Sequence, residues 1–292
     1  MKITFLGTSA GESYPAVWCD CPNCTYARVH GGRNLRMNTG SMIDDDVLLD
    51  LNNCSFHTAA RLGVSLTGVK HLLVTHPHPD HLSVEPLAWR EEMNHAVSLP
   101  EQTRIAAVSP RFTPLPVMTV YGNAFVREAL LGVRPELFDG SCATQMRFQE
   151  IREGERVETE NLAFTPVRAV HGPKPGFAHS YIIERGGKTL LYALDAGSYE
   201  SDMMQLILSK KYDAVVSEGT FGLSPLPNEG HMNRDKNRRF RTMLLQNGCI
   251  ADGTPFFLTH MSPHWTPPYD EYAPMMAKEG FTVAYDGMTA EI

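Results

Sequence analysis

The chain has 292 residues, 42% of them apolar and 20% charged, a balance that excludes disordered, collagen-like and low-complexity classes and allows one large domain or two small ones. Its formal net charge of -7 argues against broad nucleic-acid binding, which needs clustered Lys and Arg. Apolar runs such as Phe256-Phe257-Leu258 fall far short of the roughly 18 residues of a membrane span, and six cysteines are too few for a disulfide-stapled secreted domain of this length.

The chain opens with Met1-Lys2-Ile3-Thr4-Phe5-Leu6-Gly7. This is a strand-like pattern stopped by glycine, without an apolar stretch of signal-peptide length, and a cytoplasmic protein is expected. Further short β-branched and aliphatic runs predict strands over 47–51, 71–75, 118–121, 163–170, 181–184, 189–193, 214–217, 256–259 and 282–285. Helical periodicity predicts helices over 82–94, 125–131, 199–209 and 235–246. Neither an internal repeat nor a Ser/Gly linker divides the chain. One domain over 1–292 is the economical reading, as sheets layered with helices in an α/β (α+β) arrangement. Residues 97–117 carry four prolines and little periodicity, which predicts a long irregular insertion.

Thr75-His76-Pro77-His78-Pro79-Asp80-His81 follows the apolar run Leu72-Leu73-Val74. Each proline pushes the histidine before it toward extended geometry, so His76 and His78 can point to one side of the chain. Asp80 and His81 open the predicted helix at Leu82. Three imidazoles and a carboxylate so close together suit a borderline divalent metal such as zinc. The competing reading is a solvated polar loop.

The motif resembles that of the metallo-β-lactamase superfamily. The resemblance implies an αββα sandwich, two packed mixed sheets flanked by helices, with a two-metal site at one edge. The superfamily's remaining ligands have matches in order along the chain: His171 after the strand 163–170, Asp195 after Leu191-Tyr192-Ala193-Leu194, and His260 after Phe257-Leu258-Thr259. By resemblance His76, His78 and His171 hold one metal, Asp80, His81 and His260 the other, and Asp195 bridges them with a hydroxide. Zn or Mn is expected there. Asp50, ending the run Val47-Leu48-Leu49, matches the remaining acidic position and would orient a ligand histidine; a plain turn cap is the alternative. Two divalent ions, two carboxylates and a hydroxide leave a charge of about +1, which favours a small anionic phosphate ester and suits a lactone or thioester less selectively.

Trp18-Cys19-Asp20-Cys21-Pro22-Asn23-Cys24 offers three thiols in a loop over about 18–25, more often a metal site than a disulfide in a cytosolic protein. A closed tetrahedral zinc needs a fourth ligand. Within the superfamily this cluster resembles that of the phosphoribosyl cyclic phosphodiesterases of the carbon–phosphorus lyase pathway, where the fourth ligand follows the last active-site histidine; here that is His264. The Gly-Thr-Ser start is also similar to those of the pyrroloquinoline quinone biosynthesis B protein and the tRNA 3′-processing ribonucleases. The same resemblance gives His231 the role of the acid that protonates the leaving alkoxide, a step suited to an imidazole; without it, His231 reads as a solvated loop histidine. The basic run from Arg234 to Arg241 reads mainly as the solvated face of a helix.

These readings imply a dinuclear metal-dependent phosphodiesterase for small or cyclic phosphate esters, with His231, Asp80 and Asp195 in catalysis and one structural zinc besides the active-site pair. A lactone or thioester hydrolase is the alternative enzyme, and a non-catalytic metal-binding accessory protein the alternative class. Neither membrane nor nucleic acid is an expected partner, and a homodimer is compatible with the sequence.

Overall fold

The computed structural model describes residues 1–90, 115–140, 146–226 and 229–292. The expected insertion lies outside them except for 115–117, which are irregular. Among the described residues, fourteen strands form two seven-stranded sheets. The first contains β1 (Lys2–Gly7), β2 (Gly40–Ile43), β3 (Val47–Leu49), β4 (His71–Leu73), β5 (Met118–Gly122), β6 (Met146–Glu150) and β14 (Thr289–Glu291). Its order is β14-β1-β2-β3-β4-β5-β6. The second contains β7 (Val157–Glu158), β8 (Ala163–Ala169), β9 (Ala178–Arg185), β10 (Lys188–Ala193), β11 (Ala214–Glu218), β12 (Phe256–Thr259) and β13 (Thr282–Val283). Its order is β13-β12-β11-β10-β9-β8-β7. Both sheets are mixed in the same way, antiparallel through β14-β1-β2-β3 and β7-β8-β9-β10, then parallel through β3-β4-β5-β6 and β10-β11-β12-β13.

Central strands covered on both faces should be apolar throughout rather than alternating. Leu190-Leu191-Tyr192-Ala193 at the end of β10 is wholly buried on that pattern. Phe5, Leu49, Leu73, Phe164, Tyr181, Tyr192, Val216 and Phe257 fill the space between the sheets. The outer face of the second sheet packs on α4 (Ser201–Leu208), α5 (Arg234–Gln246) and α6 (Tyr269–Ala277) through Ile207, Phe240, Leu244, Tyr272 and Met276. The first sheet is backed by Val126 and Leu130 of α3 (Ala124–Leu131) and by Leu62 of α2 (Ser55–Leu62). The layers are therefore helix, sheet, sheet, helix, the expected αββα sandwich.

The helix expected from Leu82 begins later. Residues 85–90 are helical, and 91–94 lie outside the described residues. Before the helix, His81 N and Leu82 N both bond to His78 O, at 2.9 and 2.8 Å. Leu82 then bridges Leu51 in parallel, so the segment bearing Asp80 and His81 is a tight turn rather than a helix start. Helix α1 (Pro22–His30) escapes the sequence pattern because only Cys24 and Ala27 are buried on it, and α6 carries an internal Pro274 that reads as a breaker.

His179 on β9 is fully buried, and neither ring nitrogen has a hydrogen-bond partner among the described residues. Burial lowers its pKa from 6.5 to about 4, against the pull of Glu153. The unfolded chain therefore takes this proton first on acidification. The stability contributed by neutral His179 is present above 6.5 and disappears as the pH falls toward 4, a loss of about 3 kcal/mol. Urea unfolding of His179→Phe should show a shallower decline over that range than the parent protein, with metal omitted from both samples.

Candidate metal centre

The predicted residues of the histidine site converge on one edge of the sandwich, at the carboxyl ends of strands from both sheets. Asp50 follows β3, His76 follows β4, His171 follows β8, Asp195 follows β10, and His260 follows β12. Three of them, Asp50, Asp195 and His260, have left-handed backbones, with φ of 62°, 43° and 59°. Non-glycine residues adopt this conformation rarely and at a cost of about 1–3 kcal/mol. Here it turns the chain abruptly where each strand ends, bringing the side chain to the shared edge.

Two donor clusters stand side by side. His76 Nε2 lies 2.8 Å from His78 Nδ1, and His171 Nε2 lies 3.2 Å from the same atom. In the second cluster, His81 Nε2 is 3.1 Å from His260 Nε2 and 3.4 Å from Asp80 Oδ2. Asp195 Oδ2 sits between the clusters, 2.7 Å from His81 Nε2, 3.5 Å from His260 Nε2 and 4.0 Å from His76 Nε2.

The rings are held from behind. His81 Nδ1 donates to Asp50 Oδ2 at 2.7 Å, and His171 Nδ1 donates to the Gly230 carbonyl at 3.0 Å. His76 Nδ1 bonds to Thr75 Oγ1, which donates to Asp50, and His260 Nδ1 bonds to Thr220 Oγ1, which donates to Glu218. In each case this tautomer, assigned from the bonding network, leaves the Nε2 lone pair facing the cluster. Asp50 is therefore the orienting carboxylate, fully buried and accepting also from Thr75 N at 2.7 Å.

Such crowding of acceptors suits a cation. Among the described residues no donor meets Asp195 Oδ2 with hydrogen-bond geometry, although the oxygen is buried 2.7 Å from His81 Nε2. Burial and the neighbouring His81 drive the His76 pKa well down, so it stays neutral. His81, although burial opposes it, is driven well up by Asp195, Asp50 and Asp80. With the protein's own groups alone, a proton on His81 supplies the positive charge these carboxylates demand. The donor set of imidazole nitrogens and carboxylate oxygens fits divalent metals.

His231 stands at the side of the clusters. Its Nδ1 lies 3.1 Å from Glu218 Oε1 and 3.2 Å from Asp195 Oδ1. Despite burial, those carboxylates raise its pKa to about 9. Its loop reaches the site because Gly197 has no side chain; a Cβ there would come within 1.7 Å of the Glu229 carbonyl oxygen. Lys236 Nζ fixes the same loop through Gly197 O and His231 O, at 2.9 and 3.1 Å, so this member of the basic run is not merely solvated. Sequence reasoning missed Glu218, which is fully buried and also accepts from Met232 N at 3.0 Å. A signal was present: Glu218 ends an apolar strand just as Asp50 and Asp195 follow theirs.

A family model described as a beta-lactamase superfamily domain matches residues 48–244. The chain belongs to that superfamily. Among solved structures it is similar to a new diphosphatase of the PhnP family, at 20% identity over 100% of this chain and 96% of the other with a TM-score of 0.73. It is similar also to Zn(2+)-bound PqqB from Methylobacterium extorquens, at 17% identity over 100% of both chains and a TM-score of 0.69. Short-form human tRNase Z follows at 16% identity, 100% and 99% coverage and a TM-score of 0.60. At these identities the likeness is one of fold. No curated protein sequence matches the chain.

The superfamily fold carries a second group of ligand-type atoms. Cys19, Cys21 and Cys24 have thiols within 4.8 Å of one another. Cys21 is the N-cap of α1, Pro22 its first residue and Cys24 lies in its first turn, so two thiols sit at the positive end of the helix, where thiolate is favoured. Burial pushes the Cys24 thiol up to about 12, and a bound cation would be needed to ionise it at neutral pH. His264 is the residue expected as the fourth ligand. Its Nδ1 faces Glu12 Oε1 at 3.3 Å, and its ring lines the cavity of the histidine cluster. The turn over 262–266 directs it there, with Thr266 N bonded to Ser262 O at 3.0 Å. No helix of the described residues is long and apolar enough to cross a membrane.

Asp50→Asn should retain the fold and weaken metal binding by about 10–100-fold, read by competition with a chromogenic chelator; unchanged affinity would remove Asp50 from its orienting role. Protein purified without chelators should hold zinc that brief chelation leaves in place, and Cys21→Ser should lack it, as metal analysis of the two proteins will decide.

Proposed function

We propose that this chain is a dinuclear metal-dependent phosphodiesterase acting on a small or cyclic phosphate ester. The observation that carries this reading is the meeting of two donor clusters at Asp195, with His231 held against the same carboxylate. His76, His78 and His171 would hold one ion, Asp80, His81 and His260 the second, and Asp195 both. Zn or Mn fits these donors. When bound, such a pair lowers the pKa of water and stabilises charge on phosphoryl oxygens. Cys19, Cys21 and Cys24 would hold a separate structural zinc, with His264 as the fourth ligand.

The chain's own residues supply the proton. Glu218 and Asp195 both face His231 Nδ1, so the proton available for transfer is the one on Nε2. A pKa of about 9 keeps the ring charged at neutral pH, ready to protonate a departing alkoxide. Glu218 fixes the ring and, through Thr220, the tautomer of His260, coupling the acid to one of the metal-facing imidazoles.

Metal-replete protein should hydrolyse bis(p-nitrophenyl) phosphate in preference to a lactone or a thioester; the reverse order would move the assignment to acyl hydrolysis, and no turnover with full metal content would point to an accessory role. His231→Ala should keep its metals and lose about 10²–10⁴-fold in turnover on esters with poor leaving groups. Activated aryl esters depart as stable phenolates and should lose far less. Equal losses on both would show that His231 positions substrate rather than protonating it.

A further inference from the structure

A cavity of about 320 Å³ opens in front of the donor clusters, near the lower end of the range for small-molecule sites. One wall is aromatic. The rings of Trp265 and Phe221 lie 5.5 Å apart at 12°, those of Phe221 and His231 5.8 Å apart at 23°, and those of His231 and His260 6.0 Å apart at 19°. Four nearly parallel rings thus run from the metal-facing edge to the mouth. Trp265 at the outer end is 36% exposed, as is Leu223 beside it, although an indole of this size normally covers itself in the core.

This wall is held by backbone. Leu223 N bonds to Trp265 O at 2.9 Å, and a Cβ on Gly222 would come within 2.4 Å of that same oxygen. The loop bearing Phe221 can dock on the loop bearing Trp265 only because position 222 is glycine. Glu12 lines the same cavity. Ser262 Oγ donates to its Oε1 at 2.5 Å, and His264 Nδ1 lies 3.3 Å from the same oxygen. Both contacts fall on one oxygen, which leaves Oε2 able to accept from hydroxyl donors.

We infer that the ester carries a flat aromatic ring that stacks on Trp265, with a sugar hydroxyl that donates to Glu12: the chemistry of a nucleoside phosphate, base at the mouth, ribose beside Glu12 and phosphate at the metal-facing edge. This inference rests on the phosphodiesterase reading and narrows its substrate class. Stacking on an exposed aromatic ring tolerates any base and is lost when the ring is removed.

Two cyclic esters of the same strain and leaving group test it: 3′,5′-cyclic AMP and 1-O-methylribose 3,5-cyclic phosphate, which lacks the base; both keep a free 2-hydroxyl. The metal-replete protein should favour the nucleotide in kcat/KM. Trp265→Ala should reduce that for the nucleotide by about 5- to 150-fold and leave the base-free ester within about twofold. Trp265→Phe, which keeps a ring and guards against a folding defect, should retain most of the preference. Equal turnover of the two esters by the parent protein, or equal losses in Trp265→Ala, would overturn the inference. Calorimetric binding of AMP against ribose 5-phosphate gives a reading that needs no hydrolysis. If neither cyclic ester is cleaved while a lactone or thioester is, the phosphodiesterase reading fails. Tighter binding of AMP that is lost in Trp265→Ala would still uphold the stacking site, and equal binding would remove it. For Glu12, 2′,3′-dideoxy-AMP should bind more weakly than AMP to the parent protein and as well as AMP to Glu12→Gln; no difference in the parent would remove Glu12 from the site.

Discussion

The arrangement of this protein turns on one electrostatic problem: nitrogen and oxygen lone pairs from four strand ends are pressed to within about a van der Waals contact of one another. His81 Nε2 has Asp195, His260 and Asp80 all within 3.4 Å. Acceptors do not gather so closely in a low dielectric without positive charge among them. Nor do four imidazoles keep their Nε2 atoms turned inward unless each Nδ1 is engaged behind. That backing layer consists of Asp50, Thr75, Glu218, Thr220 and the Gly230 carbonyl. Asp50 and Glu218 are both wholly buried, which burial alone would forbid to carboxylates lacking such partners.

The sandwich solves the placement. Strands of a parallel run all end at one edge, where β3, β4, β10, β11 and β12 deliver Asp50, His76, Asp195, Glu218 and His260, and β8, two antiparallel steps from β10, runs in the same direction and delivers His171. Antiparallel strands would have sent alternate residues to the opposite edge. The left-handed turns at Asp50, Asp195 and His260 are the local cost of bending each chain sharply enough at that edge, and the buried bonds around those residues hold them in place.

Much of this was legible in the sequence, for identifiable reasons. His76 through His81 are contiguous, and two prolines set their geometry, so the cluster could be read locally. Asp195 and His260 each end an apolar run, the strands in order gave sheets layered with helices, and the αββα sandwich came from the resemblance of the histidine motif. Asp50 could be placed but not decided, because a turn cap and an orienting carboxylate look alike until the partner is seen to be His81. Glu218 was passed over, since its function lies in contacts with His231 and Thr220 that are tertiary. The helix start at Leu82 misled because the turn closing on His78 O leaves no periodic trace. Strands β2, β6, β7 and β14 lack the aliphatic runs by which the others are read; β6, with Arg147, Gln149 and Glu150 among its five residues, is mostly polar.

The donors span the chain from the ends of β4 to that of β12, and β12 is held in the sheet between β11 and β13. A growing polypeptide therefore exposes the His76–His81 cluster long before Asp195 and His260 exist to complete it. Contacts so distant in sequence form late and slowly. Until they form, the early histidines lack the Asp195 and His260 that complete the group. Any choice of metal would therefore belong to the finished sandwich, whose buried carboxylates set the number and spacing of the donors, and not to the motif by which the site is recognised.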